Sequence, residues 1–278
     1  MSEIIGLLAA PFAICLILAG IHCYLGLHVV SRGVIFVDLS LAQVAALGAT
    51  TALLGGYDLQ SQEAYLTSLF FTFIGAAIFA LSRMREERIP QEAIIGVVYA
   101  VGSSAAILIL DRAPHGHEAI KSMLVGSVLY VTWNDVWVTL TIYLAIGIIH
   151  YLLRRKFMLI SMNLQEARRL GLFIRFWDFL FYVTFGIVVT SSVKIAGVLL
   201  VFSYLVIPSV CAMLFTNSIG KRLAIGWTIG FLVSILGLYF SALFDLPTGS
   251  TVVTTFGAVL ILSGLARLAI LRAGWLKA

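Results

Sequence analysis

An acid and an amide interrupt an apolar run near the start of the chain, RGVIFVDLSLAQVAALG, residues 32–48. Asp38 and Gln43 are five residues apart, which separates them by about 140° around an α-helix. They therefore face one ion only if the helix is distorted, and otherwise they serve different neighbours. A carboxylate buried in a membrane is costly and indicates function, and Gln43 is suited to bonding across helices or lining a path. The alternative is that Asp38 caps a helix that starts just after Arg32.

A second group of possible ligands occurs in DRAPHGHE, where His115 and His117 stand between Asp111 and Glu118. Two imidazoles and two carboxylates this close together can capture a zinc ion. The alternative is a solvated polar loop. The remaining histidines and the cysteines stand singly in apolar sequence and are interpreted as packed side chains and inert thiols: His22, His28, His150, Cys15, Cys23 and Cys211.

The composition sets the environment of these groups. The 278 residues are 61% hydrophobic and only 11% charged, and the mean hydropathy is +1.07. Soluble domains carry about a quarter charged residues, so the chain is predicted to be an all-α, polytopic membrane protein. Its net charge of +5 then reports orientation in a membrane and not nucleic-acid binding. The N-terminus lacks the basic region of a cleavable signal and is interpreted as a first span.

Runs of roughly 20 apolar residues predict the spanning helices. An eight-span alternative merges the weakest pair into one broken unit, or treats the first span as irregular. The nine candidates lie near 4–29, 34–56, 63–82, 91–110, 133–152, 175–192, 194–215, 223–243 and 250–271.

Basic residues are distributed unequally between the two sets of connections. One set holds 15 of the 18 lysines and arginines, and the other holds only Arg112, Lys121 and Lys194. The positive-inside rule places the rich set in the cytoplasm. With nine spans, the N-terminus is outside and the C-terminus inside.

Two connections are long enough to have structure. The outer one, DRAPHGHEAIKSMLVGSVLYVTWND, becomes amphipathic and predicts a short interfacial or re-entrant helix. The cytoplasmic one contains NLQEARRLG, in which Asn163 is an N-cap, Glu166 its capping-box partner and Gly171 the C-terminal stop. We interpret the chain as one permease domain, 1–278, with a cytoplasmic coupling helix near 161–171. A short, charged, capped helix between two spans requires a partner.

The sequence contains no motif for ATP hydrolysis of its own. Its one Gly–Lys pair, in NSIGKRL, lacks the upstream glycine and the following Ser or Thr of a P-loop. The sequence also contains no GxSxG and no HExxH. We therefore predict a transporter subunit and not an enzyme.

Five stretches, in order, resemble the permeases of zinc, manganese and iron ABC importers, the ABC-3 family. NLQEARRLG resembles the family's D-x-E-x-A-x-x-x-G, with Asn163 at its first position. The likeness extends over about residues 26–262. The other four stretches are QEAIIGVVYAVGSSAAILIL, MLVGSVLYVTWNDV, VKIAGVLLVFSYLVIPSVCAML and GLYFSALFDLPTGSTVV.

The resemblance implies a fold like that of type II ABC importer permeases. It also implies a homodimer or close heterodimer in a bacterial plasma (inner) membrane, two cytoplasmic ATPase subunits, an extracytoplasmic metal-binding protein and a transported divalent metal ion, with no permanently bound cofactor. It further implies two groups of functional residues. Coupling to the ATPase falls on Gln165, Glu166, Ala167 and Gly171, and gating or helix packing on Gly197, Pro208, Asp245 and Pro247.

The chain departs from the family in the second span. Most members have an acid followed four residues later by histidine, in G-D-A-L-x-H-A. If Gly48 is placed on the family's glycine, Gln43 stands at the histidine and Leu39 at the acid, with Asp38 one residue earlier. The competing functions are an ATP-independent secondary carrier, which is expected to show matching halves and more membrane carboxylates, and an ABC permease for a metal chelate or cobalamin.

Overall fold

The computed structural model describes residues 2–59, 61–83, 89–111, 124, 126 and 128–274. These residues form helices and no strand. Nine of the helices are long and apolar enough to cross a membrane, so the predicted all-α, nine-span architecture is confirmed for the described part of the chain. The helices are α1 Ser2–Arg32, α2 Val37–Leu54, α3 Gln62–Ser82, α4 Gln91–Leu110, a 3-10 turn at Val128–Tyr130, α5 Trp133–Met162, α6 Leu164–Arg169, α7 Ile174–Ala196, α8 Val198–Phe215, α9 Ile219–Phe244 and α10 Thr248–Arg272.

The weakest predicted pair of spans is two separate helices. Only Gly197 separates α7 from α8, and its φ of 75° with ψ of 161° belongs to a region of backbone space that is open essentially to glycine alone. Each of the two helices is long and apolar enough to cross a membrane by itself, so the described structure favours nine spans over the eight-span alternative that merges them.

Helix α5 is longer than predicted. The sequence predicts a span near 133–152, before the basic cluster RRK, but the helix continues to Met162 and has 30 residues. Arg, Lys, Phe, Met and Leu all favour helix and no Gly or Pro interrupts them. The helix therefore ends only at Asn163, which starts the next one.

The chain divides into two compact units. The first comprises Met1–Val30, Ser127–Leu140 and Leu199–Ala278, and the second Ser31–Gly126 and Thr141–Val198. In the first unit, α1 and α8 meet so closely at Gly26 that an added methyl group would overlap the Leu205 carbonyl oxygen. The Ser209 hydroxyl donates to Cys23 O at 3.2 Å in the same contact, one residue after Pro208 within α8.

In the second unit, α2 packs against α3, α4 and α7. Small residues allow these approaches, as is usual for helices in lipid. A methyl group at Gly48 of α2 would lie 2.8 Å from Ser68 Cα of α3, and one at Gly75 of α3 would lie 3.1 Å from Leu41. The helix that carries Asp38 is thus enclosed by three others.

Candidate transport site and coupling segment

Asp38 is buried in the first turn of α2, with 1% of its surface exposed. Neither of its carboxylate oxygens has a hydrogen-bond partner among the described residues. It does not cap the helix, because the N-cap position belongs to Phe36 and no side chain of α2 makes a capping bond. Asp38 thus makes no capping hydrogen bond, but its place in the first turn of α2 agrees with the favourable interaction of an acid with the helix dipole that the alternative invokes. An enclosed carboxylate without a partner is energetically costly unless another group or ion joins it.

The amino end of α2 is capped from another helix. Glu92, in the first turn of α4, accepts a hydrogen bond from Phe36 N through its Oε1 at 2.9 Å. A carboxylate at a helix N-terminus satisfies a free N–H and interacts well with the helix dipole. Glu92 thus supplies the hydrogen-bonded cap of α2, and the carboxylate of Asp38 makes no hydrogen bond among the described residues.

Gln43 lies one and a half turns further along α2 and is partly buried. It faces the neighbouring helix α4 closely, since a methyl group at Gly102 would be 3.7 Å from Gln43 Cβ. The residue is placed to contact α4, in agreement with an amide that bonds between helices or lines a path.

A second buried carboxylate in the same unit was missed by the sequence analysis. Asp178 of α7 is fully buried and holds two arginines, Arg32 at 2.8 Å and Arg83 at 2.7 Å. Arg32 also donates from Nε to Ser161 Oγ at 2.8 Å and stacks 3.9 Å above the ring of Phe181. The network joins the ends of α1, α3, α5 and α7, so these four ends lie on one side of the unit.

The signal for Asp178 was present in the sequence. It stands in RFWDFLFYV, a carboxylate in an apolar run, which is the same pattern that drew attention to Asp38. The structure separates the two acids by their partners. Asp178 is neutralised by two arginines and has a structural role, whereas neither oxygen of Asp38 has a hydrogen-bond partner among the described residues.

Helix α7 carries a row of buried hydroxyl groups along the second unit. His150 Nε2 and Thr184 Oγ1 are 2.8 Å apart, and Thr190 and Thr72 join their hydroxyls at 2.9 Å. Tyr143 of α5 bonds Ser192 in the same way. These bonds satisfy polar side chains within the membrane helices, and they show that His150 is packed and bonded, as interpreted.

The remaining candidate ligands do not form a metal centre in the described residues. No group of three His, Cys, Asp or Glu side chains that could hold an ion occurs there. His115 and His117 lie outside the described residues, as do residues 112–123 of the outer connection, so the role of the two histidines and the predicted interfacial helix stay predictions. His22 and His28 are buried in α1, and the cysteines are buried and free, in agreement with packed side chains and inert thiols.

The coupling segment has the predicted caps. The Asn163 side chain accepts from Glu166 N at 3.0 Å, and Gly171 has a φ of +72°. Bonds from Leu172 N to Ala167 O and from Gly171 N to Arg168 O form the Schellman pattern with Gly171 at its left-handed position. The reciprocal capping-box bond is absent, because Asn163 N donates to Leu159 O as the last bond of α5.

The surface around α6 is unusual for the end of a membrane helix. Ala167 is fully buried, while Gln165 points outward and Glu166 is partly exposed. Leu170 and Phe173, which belong to no spanning helix, expose 64% and 69% of their surface. Exposed apolar side chains outside the lipid-facing spans are typical of a protein interface.

Three of the four predicted gating residues lie at helix junctions, and the fourth lies within a helix. Gly197 joins α7 to α8, and Pro208 is buried within α8. Asp245 caps the end of α9 in a left-handed conformation with φ of 50°, and Pro247 starts α10. The Ser241 and Thr248 hydroxyls, 2.8 Å apart, hold this turn together. The geometry explains helix packing at these positions, and the gating role stays a prediction.

Spanning helices that enclose an unpaired carboxylate, with a capped helix displayed between two of them, define a membrane permease. The chain belongs to the ABC 3 transport family, whose model matches residues 6–267. It is therefore a multi-pass transport protein, and the family predicted from the sequence is confirmed.

Individual relatives agree with this assignment. The manganese transport system membrane protein MntC of Listeria monocytogenes is 28% identical over 196 residues, which cover 68% of this chain and 69% of the relative. The chelated iron transport system membrane protein YfeC of Yersinia pestis is 27% identical over 191 residues, covering 68% and 64%. These relatives are bacterial membrane proteins, in agreement with the predicted location.

A solved structure has the same fold. PsaBC from Streptococcus pneumoniae, determined in complex with Fab, superposes with a TM-score of 0.78 at 20% identity and covers 94% of both chains. At this identity the likeness establishes the fold, and the predicted all-α permease fold agrees with it.

Proposed function

We propose that the chain is the membrane subunit of an ABC importer that carries a divalent metal ion, with ATP hydrolysed by a separate cytoplasmic subunit. The observation that supports this most directly is Asp38, enclosed among helices with both oxygens unpaired. A negative charge at this place attracts a cation into the membrane and replaces part of its hydration shell. At 4 Å and an effective dielectric constant of 20, each unit charge contributes about 4 kcal/mol of attraction.

The ligand types favour manganese over zinc. Asp38 and Gln43 each offer oxygen atoms along α2, which suit manganese, whereas zinc prefers imidazole or thiolate. The relative named for manganese agrees with this choice, and the relative named for chelated iron keeps iron as the alternative cargo. The metal is cargo in this proposal, and no cofactor is permanently bound.

We assign the exposed surface of α6, with Leu170 and Phe173, to the ATPase subunit. Helix α6 is capped at both ends and moves as a unit. When the ATPase displaces its outer face, Ala167, which is buried against the permease, is displaced with it. Two ATPase copies, a permease dimer and an extracytoplasmic metal-binding protein complete the proposed assembly. Membership of the ABC 3 transport family supports this assembly.

Uptake of radioactive manganese into proteoliposomes that contain the permease, its ATPase and its binding protein tests the cargo proposal. Asp38→Asn should lower uptake about tenfold or more while the complex still assembles, since the site loses its charge but keeps its shape. Asp58→Asn, which removes a carboxylate from the turn after α2, is the matched control. Unchanged uptake in Asp38→Asn contradicts the proposed path.

The selectivity of transport between zinc and manganese provides a second test of the same site. Gln43→His introduces imidazole, so zinc should compete more strongly with manganese. If the competition constants of the two metals stay the same, Gln43 does not line the route.

The coupling assignment is tested at Gly171. Gly171→Val forces a β-branched residue into a left-handed conformation, at a cost of about 1–2 kcal/mol, and should distort the end of α6. Transport should fall while ATP hydrolysis by the assembled complex continues. Gly56→Val is the control, because Gly56 has a φ of +85° and open space around it but belongs to the turn after α2. Equal transport by both variants rules out this segment as the coupling element.

A further inference from the structure

A cavity of about 190 Å³ lies beside the arginine network, within the second unit. It is formed where α1 ends, where α3 ends, where α4 begins and by one residue of α6. Its lining is strongly basic, with three arginines and one carboxylate. The lining residues are Arg32, Gly33, Val34, Arg83, Ile89, Pro90, Gln91, Glu92 and Arg168.

Arg32, one of the residues that line this cavity, has a donor without a partner. Its side chain has no exposed surface. Its Nη1 is bonded to Asp178 and its Nε to Ser161, but Nη2 is buried and has no hydrogen-bond partner among the described residues. A buried guanidinium N–H without an acceptor is costly, which points to a ligand that brings an acceptor.

Glu92, a second residue that lines this cavity, has an acceptor without a partner. One of its oxygens accepts from Phe36 N, whereas Oε2 is buried and unpaired in the described structure. A ligand that satisfies both groups must therefore carry an acceptor for arginine and a donor for a carboxylate. Inorganic phosphate supplies the acceptor for arginine, but it places a second negative charge beside the Glu92 carboxylate.

We propose that this cavity binds the headgroup of a phospholipid, with phosphatidylethanolamine as the best chemical fit. The phosphate oxygens accept from Arg32 Nη2, with Arg83 and Arg168 beside it, since guanidinium groups match phosphate geometry. The ammonium group donates to Glu92 Oε2. Basic pockets between spans are the usual places for lipid headgroups.

The position of the cavity agrees with a lipid source. Arg32 ends the first span, Arg83 follows the last residue of α3, and Glu92 lies in the first turn of α4, so the charged lining lies at the level where spans meet headgroups. Ile89 in the lining is 49% exposed and Leu81 in the last turn of α3 is 65% exposed. These apolar side chains are suited to contact acyl chains beside the pocket.

Native mass spectrometry of the full chain in detergent, with added phosphatidylethanolamine, phosphatidylglycerol or phosphatidylcholine, tests the proposal. The wild type should retain phosphatidylethanolamine at least several-fold more than phosphatidylcholine, whose trimethylammonium group has no N–H to donate. Glu92→Gln should remove that preference. Arg168→Gln should lower retention about threefold, the effect of losing one partly solvated charge contact. Arg169→Gln on the same helix, outside the lining, is the matched control and should not change retention.

Other outcomes overturn the proposal. Equal retention of the ethanolamine and choline lipids, or equal effects of Arg168→Gln and Arg169→Gln, shows that no headgroup is recognised. Binding of free phosphoethanolamine or inorganic phosphate as tightly as of the lipid assigns the cavity to a soluble phosphate compound. Loss of ATPase binding in Arg168→Gln without a change in retained lipid shows that the cavity contacts the ATPase.

Discussion

Removing the charge of Asp178 should destabilise the protein strongly. Asp178→Asn keeps the shape of the side chain but leaves Arg32, which has no exposed side-chain surface, without its ion-pair partner. Breaking one member of a buried pair costs about 3–5 kcal/mol. Arg83, whose side chain is 12% exposed, has partial access to solvent and should contribute the smaller share.

This loss of stability lowers the melting temperature by about 10 °C, at about 2–4 °C per kcal/mol, the conversion for domains of about 150–250 residues. It is measured by fluorescence-detected size-exclusion chromatography after heating the protein in one detergent. Glu166→Gln is the control. It breaks a 3.8 Å pair with Arg169 in which the arginine side chain is 83% exposed and that of Glu166 41% exposed, a change worth about 0–1 kcal/mol. A melting temperature for Asp178→Asn within 2 °C of the wild type refutes the structural role assigned to the network.

Two glycine substitutions test the close helix contacts with the same melting assay. Gly26→Ala should lower the melting temperature by several degrees, because the added methyl group overlaps the Leu205 carbonyl oxygen. Gly20→Ala, in open space on the same helix, should change the melting temperature little. Equal effects of the two variants contradict the close contact at Gly26. Gly126→Ala should destabilise more than Gly56→Ala. Both residues have positive φ, but only the methyl group at Gly126 meets backbone atoms, those of Ala196; a larger effect at Gly56 indicates that backbone strain alone determines the cost.

The sequence predicts the spans and the coupling segment well because their signals are local. Apolar runs of span length require no knowledge of neighbours, and the caps at Asn163 and Gly171 are encoded within one short stretch. The predicted end of the fifth span, near residue 152, lies before the end of α5. A basic cluster resembles a loop in sequence, although its residues favour helix as much as those of the span before it.

The site is less predictable because its decisive facts are non-local. Asp38 and Asp178 look alike in sequence, and what separates them is Arg32, 146 residues from Asp178, and Arg83, 95 residues away. The cap of α2 comes from Glu92, 56 residues beyond Phe36. No periodicity or spacing reports such pairs, so the sequence suggests a buried acid but not whether it is free.

The sharing of one carboxylate between two arginines restricts how this protein can evolve. A charge swap between position 178 and either arginine leaves the other arginine facing a like charge, so pairwise compensation fails. If the three residues are lost one at a time, an intermediate protein contains a buried charge without a partner. Replacing all three at once with apolar residues of similar volume can be neutral or stabilising. Among natural homologues, the three positions should therefore be retained together or lost together, a case of third-order epistasis fixed by the two oxygen atoms of Asp178.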